Sequence, residues 1–113
     1  MAEIIRLEEA NANVLEQVNE LLQQLSERLP PCTAELLKSI IESPVLELWV
    51  VQEGGKIIGM GELAIVLKPE GIIAQVEDVV IAEGERGRGL GRMISEKLIE
   101  RARAQNPAIE FAV

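Results

Sequence analysis

Arg86-Gly87-Arg88-Gly89-Leu90-Gly91 is the stretch of this chain whose residue types and spacing best suit chemistry, and that chemistry is the holding of phosphate. Glycines let the main chain approach an anion closely, free N–H groups in a helix's first turn point at it, and arginines add charge. The spacing excludes two common devices. A dinucleotide fingerprint built on Gly87 and Gly89 requires a third glycine where the chain has Arg92. A Walker-type loop starting at Gly84 requires Lys and then Ser or Thr after Gly89, where the chain has Leu90 and Gly91.

Such a loop works only if a strand and a helix hold it. Upstream, 72–81 reads as an apolar strand; downstream, 90 to about 104 reads as a helix with Leu90, Met93, Ile94, Leu98, Ile99 and Ala102 on one stripe. The rest of the chain supplies a regular order. A short strand is expected at 3–7. Asn13, with Glu16 three residues on, is expected to cap a helix whose apolar face is Val14, Val18, Leu21, Leu22, Leu25 and Leu29, ended by Pro30-Pro31. Thr33 caps a second helix carrying Leu36, Leu37, Ile40 and Ile41. Strands follow at 46–52 and 57–67 around the turn Glu53-Gly54-Gly55-Lys56, and a last strand at 108–113 after Asn106-Pro107.

Charge is divided unevenly. Residues 1–85 carry 16 acidic and 5 basic side chains, a net of -11, whereas 86–113 carry 3 acidic and 6 basic, a net of +3. A local positive field in an acidic chain suits one specific anionic ligand better than nucleic acid. Trp49 and Phe111, the only aromatic residues, give no platform for stacking bases. Of the basic residues, Lys97, Arg101 and Arg103 are expected to lie on a solvated helix face in Glu–Arg and Glu–Lys pairs, and Arg86 and Arg88 to meet the anion.

At 113 residues, 48% of them hydrophobic, the chain reads as one small domain over 1–113 with its phosphate-binding part at 72–105. No stretch approaches a membrane span or a signal peptide. The single cysteine, Cys32, allows no internal disulfide, which suits a reducing cytoplasm. With no histidine to activate it, Cys32 is not expected to be catalytic, and a nitrogen-and-sulfur metal site is excluded.

The segment 76–91 resembles the cofactor-binding region of the GNAT N-acetyltransferases. The family's R/Q-x-x-G-x-G/A signature is filled by Arg86, Gly89 and Gly91, and the strand Val76-Glu77-Asp78-Val79-Val80-Ile81 precedes it at the family's distance. The resemblance implies an α/β fold of the α+β type: a mostly antiparallel mixed sheet flanked by helices. It implies acetyl-coenzyme A as co-substrate and no metal. The pantetheine arm would lie along Val79, Val80 and Ile81, and the pyrophosphate on Arg86, Gly87, Arg88, Gly89, Leu90 and Gly91. The main-chain N–H near Val79 or Val80 would stabilise the oxyanion as a primary amine attacks the thioester directly. Glu77 and Asp78, expected on opposite faces of their strand by alternation, are the candidate bases, Glu77 favoured and Glu62 in reserve.

The acceptor, a small-molecule or peptide amine, stays open. The Val-Glu-Asp-Val-Val run resembles that of the glucosamine-phosphate N-acetyltransferases, while the acidic first 85 residues suit a cationic amine equally well. The family usually continues with a further helix and two strands and commonly supplies a tyrosine there. This sequence ends at Val113 and holds no tyrosine. The readings left open are a truncated chain, a sheet completed by a second copy in a homodimer, and a non-catalytic acyl-CoA-binding or regulatory domain.

Overall fold

The computed structural model describes residues 1–106 and 108–111. Five strands form one sheet in chain order: β1 (Glu3–Arg6), β2 (Leu46–Glu53), β3 (Lys56–Lys68), β4 (Gly71–Ile81) and β5 (Glu110–Phe111). β1 to β4 are antiparallel neighbours, whereas β5 lies parallel to β4. The parallel pair needs a crossover, and α3 (Leu90–Gln105) supplies it. Helices α1 (Ala12–Leu25) and α2 (Ala34–Glu42) fill the connection from β1 to β2.

Alternation along the strands sorts the core into two layers. Leu48, Val50, Met60 and Val80 pack with Val18 and Leu21 of α1 and Leu37 of α2. Val51 and Ile58 pack with Leu90 and Ile94 of α3, and Leu63 and Ala74 with Leu98 and Ala102. The α3 stripe is therefore as expected at Leu90, Ile94, Leu98 and Ala102; Met93 is exposed and Ile99 half-buried.

Three boundaries differ from the sequence expectation. Asn11, not Asn13, caps α1: its extended backbone lets Oδ1 accept from the Val14 N–H at 2.9 Å. Asn13 already lies inside the first turn, where its carbonyl faces Gln17, and Glu16 makes no capping box. The same helix ends at Leu25, because Ser26 is extended and its hydroxyl accepts from the Arg28 N–H to start a turn. Leu29 therefore lies outside it. The last strand covers two residues, Glu110 and Phe111; Pro107, Ala112 and Val113 lie outside the described residues.

A buried carboxylate ties α3 to the sheet. Glu47 on β2 accepts from Arg101 Nε at 2.9 and 3.2 Å, from Gln105 at 2.9 Å and from the Trp49 indole at 2.9 Å, with Arg6 at 3.7 Å. Arg101 thus leaves the solvated face assigned to it, because the only buried charge in the described core needs a cation to compensate its desolvation. Burial opposes ionisation of Glu47. The hydrogen bonds from Arg101 and Trp49, with the charge of Arg6, outweigh it and hold the carboxyl below the ordinary glutamate range. A depressed folded pKa contributes stability above the unfolded value of about 4.3 and loses it as pH falls through the folded value. Glu47→Gln is expected to cost about 2 kcal/mol at neutral pH, within the range for hydrogen bonds to charged groups. Urea unfolding should show that cost shrinking at about pH 3, where wild-type Glu47 is itself being protonated.

Candidate active site

Strands β3 and β4 slip register at one place. Met60 pairs with Val80 and Glu62 with Glu77, so Gly61 alone faces both Asp78 and Val79. Two residues opposite one is a β-bulge, and Asp78 carries its positive φ of 52°, a conformation that aspartate tolerates better than most side chains. A Cβ on Gly61 would stand 3.1 Å from Leu98 Cδ1 and 3.3 Å from Val79 Cγ2, so the glycine allows α3 to approach the sheet there.

The bulge resets the alternation. Val76 and Val79, three apart, both pack on the α3 side. Glu77, directly opposite Glu62, shares its face, and Asp78 lines the same cavity as Glu62. The expectation that Glu77 and Asp78 face opposite ways is thus corrected: all three carboxylates gather on the α1–α2 side. Glu77 and Asp78 are exposed, and Glu62 is half-buried. Burial, then the negative charges of Asp78 and Glu77, push the Glu62 carboxyl above the ordinary glutamate range. The apolar setting foreseen for Glu77 is found at Glu62.

Past its pairing with β5, β4 has an open edge. β5 pairs only with Ile73 and Ala74, and among the described residues no strand covers that edge from Val76 to Ile81. A groove of about 340 Å³ runs beside it, lined by Val79, Val80, Ile81, Arg86 and Gly91 and, from α1, by Gln24 and Leu25. Leu25, assigned from sequence to the core face, is 39% exposed here. Gln24 had no sequence signal at all; it belongs to the groove because α1 ends there and its Oε1 accepts from the Glu83 N–H at 2.7 Å.

The loop reaches α3 through Gly87 and Gly89, with φ of 84° and 77°. Left-handed backbone at both favours glycine, and a Cβ at either would meet no atom within 4 Å, leaving the loop face open. Gly89 caps α3 without a side chain, and the first intrahelical bond is from Met93 N–H to the Gly89 carbonyl at 3.0 Å. The N–H groups of Leu90, Gly91 and Arg92 therefore have no acceptor within the helix, which leaves a positive pole facing the groove.

The two arginines expected to act together have different partners. Arg86 Nε donates to the Ile81 carbonyl at 3.1 Å, placing its side chain at the end of the β4 edge. Arg88 makes a two-pronged pair with Glu53, at 3.0 and 2.8 Å, and a further bond to Glu85 at 2.5 Å. Arg88 thus ties the loop to the β2–β3 turn, and its hydrogen bonds lower the Glu53 pKa.

These residues build a parallel crossover on a bulged antiparallel sheet, with a groove along the open edge beside a glycine-capped helix. The chain belongs to the GNAT acetyltransferase family, whose model matches residues 15–112. Among solved structures it is similar to an acetyltransferase from Trypanosoma brucei, at 28% identity and TM-score 0.77 over 100% of this chain and 83% of that one. It shares its fold with the glucosamine-6-phosphate N-acetyltransferase of Arabidopsis thaliana, at 24% identity and TM-score 0.82 over 100% and 82%. An aminoglycoside N-acetyltransferase in complex with coenzyme A has the same fold, at 16% identity and TM-score 0.77 over 100% and 77%.

The raised Glu62 pKa has a sign that can be checked. The penalty of ionising Glu62 in the fold is absent below about pH 4.3 and grows as pH rises through the raised value. Glu62→Gln should therefore raise the melting temperature at neutral pH and leave it unchanged at about pH 3.5. Removing one negative neighbour with Asp78→Asn should bring the Glu62 titration, followed by carbon NMR of the carboxyl, to lower pH.

Proposed function

We propose that this chain transfers an acetyl group from acetyl-coenzyme A to a primary amine. The observation that carries the reading is the succession of three features: carboxylates at the bulge, a groove along the open β4 edge from Val79 to Ile81, and the first turn of α3 at Gly91, which lines that groove. The donor side fits: the open loop at Gly87 and Gly89 and the free N–H groups of Leu90, Gly91 and Arg92 suit a pyrophosphate. Arg86 supports it from the end of β4, and the uncovered main chain at Val79, Val80 and Ile81 suits the pantetheine arm. Arg88 acts at one remove, holding the loop in shape.

When bound, acetyl-coenzyme A supplies an activated acyl carbon. The protein must collect the ammonium proton, orient the amine and receive negative charge at the carbonyl oxygen. Glu62 takes the proton, directly or through water, since its raised pKa lies nearer that of a working general base. Asp78 and Glu77 hold the ammonium beside it and keep Glu62 basic. The main-chain N–H at Val79 or Val80 donates to the carbonyl oxygen. The N–C bond forms as the C–S bond breaks, and the departing sulfur regains a proton from solvent.

Calorimetry and thiol release separate the two halves of this reading. Gly89→Glu, which sets a carboxylate where the pyrophosphate approaches, should abolish binding of coenzyme A. Glu62→Gln should leave that binding unchanged and lower the rate of thiol release by about 10²-fold or more, the usual worth of a general base. Wild-type binding of coenzyme A without thiol release from any amine would instead identify a non-catalytic acyl-CoA-binding domain.

A further inference from the structure

Two of the carboxylates, Glu62 and Asp78, border a cavity that the transfer chemistry itself does not require. It has a volume of about 280 Å³ and lies between α1, α2 and the sheet. Leu22, Leu36, Ile40, Leu48 and Met60 supply apolar wall, and Glu62 and Asp78 are its only charged lining residues. The wall draws on side chains that the core leaves over: Leu29 and Leu36, which also line it, are 43% and 53% exposed.

From this geometry we infer the class of acceptor: a small primary amine whose body is a single apolar alkyl or aryl group. The inference rests on the acetyl-transfer reading and deepens it. An ammonium group meets Glu62 and Asp78, while the attached carbons replace water against leucine, isoleucine and methionine. Other amines are disfavoured by identifiable costs. A sugar phosphate would bring its anion to two carboxylates with no lining cation. A polyhydroxylated amine would leave hydroxyls without partners against the wall, and a polyamine would place its second charge there. An aminoglycoside exceeds a cavity that stands at the small end of ligand pockets.

Cys32 offers a reading of occupancy that does not depend on turnover. It lines the same cavity and is the only cysteine in the chain. Methyl methanethiosulfonate labelling of Cys32 would be followed by mass spectrometry on the full chain with desulfo-coenzyme A present, which has no thiol to consume the reagent. The amines compared are phenethylamine, hexylamine, spermidine, glucosamine 6-phosphate and kanamycin, and thiol release from acetyl-coenzyme A would be measured with the same panel. Phenethylamine and hexylamine should slow labelling and give a kcat/KM at least about tenfold above the others, the scale on which apolar contacts discriminate. Leu36→Arg, at the exposed rim where the fold is not at stake, should remove both effects.

Thiol release from the hydrophilic amines, with Cys32 unprotected by the apolar ones, would overturn the acceptor inference and leave acetyl transfer standing. Protection of Cys32 by the apolar amines without thiol release from any amine would sustain the cavity's selectivity and overturn the transfer reading. Failure of the apolar amines in both assays overturns the inference whatever coenzyme A does.

Discussion

Strand β4 places two residues, Asp78 and Val79, opposite the single residue Gly61, and the arrangement of the site follows from that count. Without the extra residue, Val79 would turn away from α3, and Glu77 and Asp78 would point to opposite faces. With it, both sides of the bulge pack on α3 while the carboxylates collect on the other face beside Glu62. Among the described residues, the bulge also lies within the stretch of β4 that β5 does not reach, so the carboxylates stand beside the open edge. Gly61 makes this possible by giving Val79 and Leu98 room that a side chain would occupy.

Helix α3 has to present its first turn at a fixed place, and charge holds it at both ends. Near its start Arg88 grips Glu53 at the end of β2, and near its end Arg101 grips Glu47 at the beginning of the same strand. The two contacts differ physically. Arg88 and Glu53 are partly solvated, and such pairs contribute little to stability; this one sets the shape of the loop. Glu47 is buried, so its partners are obligatory. Between the two, Leu90, Ile94, Leu98 and Ala102 supply the apolar seam.

What the sequence made legible was whatever period and punctuation carry. The order of elements, the Thr33 cap, the Gly54-Gly55 turn and the α3 stripe all follow from local patterns. The glycines of the loop announce a phosphate-binding turn because few other uses need that backbone. The bulge was illegible: nothing in Val76-Glu77-Asp78-Val79 distinguishes a regular strand from one with an added residue, and strict alternation then misassigns a face. Asn11 and Asn13 are equally good caps until the helix start is known. The partners of Arg88 and Arg101 depend on Glu53 and Glu47, which lie 35 and 54 residues away and carry no local signal. The surplus of leucines around α1 and α2 was visible, but read as core; only their exposure in the fold marks a cavity.

Among the described residues, β4 past its pairing with β5 is a sheet edge with main-chain bonding capacity to offer. An extended molecule laid along it serves as a further strand, so binding there is also an act of folding. Its free energy adds to the cohesion of the sheet by mass action. On the reading proposed for that groove, how firmly the molecule holds together rises and falls with the supply of its own co-substrate. A change in that supply would then register as a change in the protein's resistance to heat and proteases.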